Sequence, residues 1–194
     1  MRYYVDFSEG RWEKDGFIQP GMYLFPNPKE FEQHSGYITN GYAPKTEGGT
    51  HEEYAYSSIA CREPLSAGVR FFFTFSFEKT GCPSLVYARE LEDLDGGCIY
   101  GTHVQACFYE DGVNLWRGES VRASREHQFS LIAFFPFPLE RNKKYRAGVM
   151  TTASKIGVEI EGHTFWTDYE VFPTGYTGFI AWEGINNIYS FEVE

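Results

Sequence analysis

Residues 69–77, VRFFFTFSF, decide the fold. Val69, Phe71, Phe73, Phe75 and Phe77 recur at every second position with Thr74 and Ser76 between them, the period of a β-strand that buries one face. Working outward, Ile156, Val158 and Ile160 alternate with Lys155, Glu159 and Glu161 until Gly162 interrupts the run. Phe165 and Trp166 then resume it, which predicts a hairpin. Tyr145, Ala147 and Val149 repeat the alternation, and the chain closes on Tyr189, Phe191 and Val193 against Ser190, Glu192 and Glu194.

Turn residues punctuate these runs: Gly81 and Pro83, residues 95–97, Asp111 and Gly112, Asn142, Gly162, residues 173–175, and Gly184 with Asn186 and Asn187. Roughly a dozen short strands spaced in this way predict an all-β domain over residues 1–194, a β-sandwich (jelly roll) of two antiparallel sheets with little helix. Nearer the N-terminus, Pro20, Pro26, Pro28, Pro44, Gly48 and Gly49 make long connections around short strands near 3–7 and 53–60. Only residues 27–33, NPKEFEQ, carry a helix start, with Pro28 following a capping Asn27.

Composition agrees with the periodicity. Of 194 residues 42% are hydrophobic and 19% aromatic, and 18 Phe, 14 Tyr and 4 Trp favour pleated surfaces over helices. The net charge of -10 and the lack of any basic run exclude a phosphate-tracking surface, so nucleic acid is not an expected partner. No apolar stretch is long enough to span a membrane, and the start MRYYVDFSEG lacks the basic and apolar regions of a secretory signal. The expected location is therefore cytoplasmic as the sequence stands, and secreted if a leader has been removed. Cys61, Cys82, Cys98 and Cys107 show no C-x-x-C spacing and read as reduced, mostly buried thiols.

In residues 140–194 a strand follows a basic turn at 143–149, a V-x-I-x-G hairpin lies within 155–162, a P-x-G-x-x-G-F entry occupies 173–179, and an aromatic strand covers 189–193. This order resembles the closing segment of concanavalin A-like lectin/glucanase domains, which include laminin-G-like modules and glycoside-hydrolase-associated sandwiches. The resemblance implies a ligand groove on the outward, concave face of one curved sheet. It implies no single activity, because the fold carries lectins, hydrolases, lyases and interaction modules.

Four consecutive strands then nominate a face. Val86 and Ala88 read as inward, which leaves Tyr87 and Arg89 outward. Tyr100, Val104, Ala106 and Phe108 take the core and put His103 and Gln105 outward with Gly101 and Cys107. Val113 and Leu115 face in and Asn114 and Trp116 out; Phe129, Leu131 and Ala133 face in and Gln128 and Ser130 out. Tyr87, Arg89, His103, Gln105, Asn114, Trp116 and Gln128 would share one surface if these strands are neighbours. Trp182 and Glu183 are expected on its rim. Rings stack on the apolar face of a pyranose while amide, guanidinium and imidazole groups bond its hydroxyls, so carbohydrate is the expected ligand.

Two alternatives accompany that reading. A glycoside hydrolase or lyase would use His103 or Glu183, with Arg89 nearby, whereas an interaction sandwich would use the aromatic face to build a homo-oligomer or bind another protein. Glycoside hydrolase family 16, of the same fold, carries E-x-D-x-x-E or E-x-D-x-E on one strand, and residues 90–95, ELEDLD, are the nearest approach. They read better as an acidic turn leading into Gly96 and Gly97. A calcium ion, if bound, would be held by Asp93 and Asp95 or by Asp6 with a backbone carbonyl. His34, His51, His103, His127 and His163 lack zinc spacing, and no Ser or Cys nucleophile motif is visible.

Overall fold

A computed structural model describes residues 3–8, 10, 16–41, 55–78 and 81–194. The strands are, in chain order, β1 (Tyr3–Asp6), β2 (Phe17–Ile18), β3 (Glu32–His34), β4 (Tyr37–Thr39), β5 (Ser57–Cys61) and β6 (Leu65–Ser66). There follow β7 (Arg70–Glu78), β8 (Cys82–Ala88), β9 (Leu91–Leu94), β10 (Gly97–Tyr100), β11 (His103–Tyr109) and β12 (Gly112–Val121). The last six are β13 (Glu126–Pro136), β14 (Tyr145–Thr151), β15 (Lys155–Ile160), β16 (His163–Asp168), β17 (Thr174–Trp182) and β18 (Ile185–Val193). Among the described residues no helix is long and apolar enough to cross a membrane.

The strands form two antiparallel sheets packed as a sandwich. The first runs β16-β15-β14-β7-β18-β4-β3 with β1 also on β18, and the second runs β13-β12-β11-β8-β17-β5-β2 with β6 on β17. Among the described strands, β9 and β10 pair with each other and join neither sheet. Between the sheets, Phe71, Phe73, Phe75 and Phe77 of β7 meet Leu85, Val104, Phe108, Leu115 and Phe179 of the second sheet in one core. Phe108 lies 5.4 Å from Phe73 and 5.2 Å from Phe75, ring centre to ring centre. Burying each such ring contributes about 2 kcal/mol, which makes this aromatic seam the main source of cohesion.

The alternation in β7, β14 and β15 is as expected, and Glu161 and Gly162 close the β15–β16 hairpin with φ of 48° and 80°. Two local expectations fail, at residues 27–33 and at Tyr189. Residues 27–33 form no helix, because Phe31 turns into the core and the Gln33 amide donates to the carbonyls of Phe7, His34 and Tyr37. Tyr189 does not face the core: the β18–β7 register passes from Ile188 opposite Phe75 to Ser190 opposite Thr74, so Tyr189 bulges outward and shares a 3.0 Å hydrogen bond with Ser76. The strand expected at 53–60 is observed at Ser57–Cys61; its first two residues, like Pro44, Gly48, Gly49 and His51, lie outside the described residues. All four cysteines are free thiols, Cys82 and Cys107 buried and Cys61 and Cys98 half-buried.

Part of the second sheet's outer face is roofed. Ala60, Val86, Ala88 and Ile180 project outward there and are covered by Met22, Phe25, Leu91 and Tyr100 in a second apolar cluster. The roof consists of the β9–β10 hairpin and the segment near residues 20–25. Gly21 and the hairpin hold each other through Gly21 N–H to the Cys98 carbonyl (2.7 Å) and Tyr100 N–H to the Gly21 carbonyl (3.0 Å).

Candidate functional site: an aromatic groove beside the roof

Where the roof ends, the outer face of the second sheet opens into a cleft of about 240 Å³ lined by Gln105, Cys107, Tyr109, Trp116, Phe129, Trp182 and Glu183. Strand β11 supplies Gln105, Cys107 and Tyr109 on alternate positions, and β12 supplies Trp116 opposite Gln105. Strand β13 supplies Phe129 through a bulge. Leu115 pairs with Ala133 but Trp116 pairs with Leu131, so Ile132 is an extra residue and every side chain before it changes face.

That slip overturns the expected orientation of β13. Phe129 and Leu131 face outward, with Phe134 beyond the bulge, and they are 44%, 52% and 45% exposed. Gln128 sits opposite Glu119 and Ser130 opposite Arg117, on the face away from the cleft, so Gln128 is not part of the site.

The cleft combines aromatic walls with few polar groups. Gln105 forms buried floor at 2% exposure, and the Trp182 indole N–H is buried without a hydrogen-bond partner. Phe25 of the roof meets Trp182 edge-on at 5.8 Å and so separates cleft from roof. Glu183 occupies the β17–β18 turn with φ of 52°, followed by Gly184 at 121°. Though the residue is exposed, partial desolvation by the cleft wall raises the pKa of its carboxyl, opposed in part by a hydrogen bond from Tyr109. A second hollow of about 430 Å³, lined by Gly81, Tyr109, Glu110, Asp111 and Asn114, shares Tyr109 with the cleft. There Arg141 holds Glu110 through two nitrogens, one of them at 2.9 Å.

His103 borders the cleft but does not open into it. It is 0% exposed, and its ring packs so closely on Gly118 that an added Cβ there would sit 2.4 Å from the imidazole. Its Nδ1 lies 2.8 Å from the Gly101 carbonyl, which can only accept, so Nδ1 carries the proton and Nε2 is left as a buried acceptor without a partner. Burial lowers the pKa to about 4, with nearby His127 acting in the same direction. His103 is thus a neutral structural imidazole and cannot serve as a base on a ligand in the cleft. His127 Nε2 donates to the Tyr100 carbonyl at 2.7 Å, and its Nδ1 accepts from Tyr23 N–H at 3.1 Å, tying both parts of the roof to β13.

Tyr87 and Arg89 also lie elsewhere. Strand β8 is buried on both faces, so its polarity pattern could not distinguish core from roof. Tyr87 is in the sandwich core, its hydroxyl reaching the Leu65 carbonyl at 3.1 Å, while Val86 and Ala88 lie under the roof. Tyr100, expected in the core, belongs to the roof. Arg89 is exposed past the end of β8, where it pairs with Glu90, donates to Thr102 Oγ1 at 3.0 Å and stacks over Phe172 at 5.8 Å.

The acids of residues 90–95 serve the roof as well. Glu90 accepts from Thr102 N–H at 2.8 Å, Glu92 binds Ser120 and Arg122, and Asp95 pairs with Arg125 at 3.0 Å. Asp93 lies on the same hairpin, opposite Cys98, and Asp6 accepts from Ser8 N–H at 2.8 Å. Among the described residues no three His, Cys, Asp or Glu side chains gather as a metal site would need. The structure therefore brings together Gln105, Trp116, Trp182 and Glu183, places Asn114 in the adjoining hollow, and adds Phe129 and Tyr109. Tyr109 was readable as the next outward position after Cys107; Phe129 was not, because nothing in its neighbours marks the bulge.

This two-sheet arrangement is the concanavalin A-like lectin/glucanase fold. The chain is similar to the carbohydrate recognition domain of Emp46p in its metal-free form, at 9% identity over 97% of this chain and 94% of that one, with a TM-score of 0.69. A prokaryotic beta-1,3-1,4-glucanase (lichenase) derived from a mouse hindgut metagenome is similar at 9% identity over 98% and 96% of the two chains, TM-score 0.61. The carbohydrate binding module CBM66 from Bacillus subtilis is similar at 17% identity over 82% and 95%, TM-score 0.57. No protein-family model matches the chain, and no curated protein sequence does. At these identities the likeness defines the fold, and the ligand has to be argued from the groove.

Proposed function

We propose that the protein binds carbohydrate in the groove formed by β11, β12, β13 and the β17–β18 turn. The observation that carries this reading is the lining itself, in which two indoles, a phenyl and a phenol flank one buried amide and one carboxyl. Pyranose rings present apolar C–H faces and equatorial hydroxyls, so aromatic walls can stack on them while Gln105, Glu183 and the unpaired Trp182 N–H bond the hydroxyls. The fold, found also in a carbohydrate recognition domain and a carbohydrate binding module, is in keeping with it.

A hydrolytic reading has one observation in its favour, the raised pKa of the Glu183 carboxyl, which suits a general acid. Binding is preferred because Glu183 is the single carboxyl among the described cleft residues, and the nearby Glu110 is held by Arg141. Titrating neutral oligosaccharides against wild type and Trp116→Ala tests the proposal. The expected result is a loss of affinity of at least about tenfold, the weight of one good stacking contact, with unchanged thermal unfolding. Binding of no oligosaccharide, or equal affinity in the variant, would overturn it. Release of reducing ends by wild type but not by Glu183→Gln would instead establish hydrolysis.

A further inference from the structure

The carbohydrate reading leaves open which sugars the groove admits, and on that reading we infer that it selects uncharged or amine-bearing glycans and rejects those carrying uronate or sulfate groups. The ionisable lining points one way. Glu183 stands in the cleft, and Glu110 and Asp111 stand in the hollow that continues from it past Tyr109. Among the described residues, neither cavity has a Lys or Arg in its lining.

The described cations in the neighbourhood are already committed. Arg141 is held on Glu110 by two nitrogens, Arg117 pairs with Glu119 and projects from the opposite face of β12, and Arg122 is bound to Glu92 of the roof. An anionic sugar would have to give up its hydration against aromatic walls with no positive partner and with a carboxylate beside it, an arrangement with a large desolvation cost. Partial desolvation at the cleft wall already disfavours the ionised form of Glu183, so a second negative charge there compounds an existing penalty. A hydroxyl or an ammonium group, by contrast, donates to the same carboxylate. The net charge of -10 adds a long-range repulsion in the same direction, which salt screens, whereas the local effect persists.

The test is calorimetric titration of gluco-, manno- and galacto-oligosaccharides, each beside its uronate counterpart of equal length, together with a chitosan oligomer, at low and at physiological salt. The expected result is that at least one neutral sugar or chitosan binds, and that the matched uronates bind at least about tenfold more weakly at both salt levels, the size of one unpaired charge brought next to a carboxylate. Glu183→Gln, which removes the charge and keeps the shape, should narrow that gap several-fold. Uronates that bind as tightly as their neutral partners, or a gap unaffected by Glu183→Gln, would overturn the selectivity while the carbohydrate reading stands. Binding by no sugar of either kind would remove both.

Discussion

The two outer faces of the sandwich are built from similar residues and end in opposite states. On the first sheet, Phe72 is fully buried although it points away from the core, because Arg146 lies over its ring at 3.9 Å and Arg70 at 5.4 Å. Those guanidinium groups are satisfied in turn: Arg70 pairs with Glu159 at 3.3 Å and with Glu194 at 3.5 Å, and Arg146 with Glu192 at 2.5 Å. Ser190 donates to Thr74 at 3.0 Å, and Tyr189 meets Ser76. The face is closed by its own lattice. On the second sheet, Trp116, Phe129, Leu131 and Phe134 stand with no cation above them among the described residues, and the Trp182 N–H and His103 Nε2 are buried without partners there. Composition alone does not distinguish a binding face from an inert one; what does is whether aromatic and polar groups already satisfy each other.

This contrast can be broken most severely at Phe72. Phe72→Ala should lower stability by about 3 kcal/mol, the usual cost of emptying a buried phenyl site, and leave sugar affinity unchanged. Urea unfolding and titration of the same sample would check both halves. Trp116→Ala is its mirror image, weak in stability and strong in binding.

An effect of similar size lies beneath the groove. His103 is held neutral in the fold with a pKa near 4, against an ordinary value of 6.5. The unfolded chain therefore takes up a proton on this side chain as pH falls below 6.5 while the folded chain does not, so stability is lost between about pH 6.5 and about 4, up to roughly 3 kcal/mol in all. His127, whose pKa burial also lowers, acts in the same direction, since protonating it breaks the bond from Tyr23 N–H. Denaturant midpoints measured across this range should fall with acid, and His103→Gln should flatten part of the slope. The smallest effect belongs to the exposed lattice of the first sheet: Arg70→Ala should change stability by less than about 1 kcal/mol, and less still at high salt.

Sequence periodicity resolved the first sheet better than the second for a physical reason. Strands β7, β14 and β15 bury one face against the core and leave polar residues on much of the other, so alternation named their core residues correctly. Strand β8 is covered on both sides, and alternation there carries no sign, which is why Tyr87 and Val86 were exchanged. Two bulges did the rest. Each inserts one residue, Tyr189 in β18 and Ile132 in β13, and each reverses the faces of a stretch whose residues still alternate. Gln105, Trp116, Trp182 and Glu183 were legible because they lie on strands or turns without such slips, whereas Phe129 and the non-participation of Gln128 depend wholly on the register of β13.

The indole N–H resonances offer the most direct test of the claim that the second sheet's outer face, and not the first's, holds the ligand. Trp116 and Trp182 line the groove, while Trp166 stands 44% exposed over Gly157 on the outer face of the first sheet. Nuclear magnetic resonance titration with a binding oligosaccharide should move the signals of Trp116 and Trp182 and leave that of Trp166 in place. Movement of Trp166 with Trp116 and Trp182 unmoved would place the ligand on the wrong sheet and contradict the account.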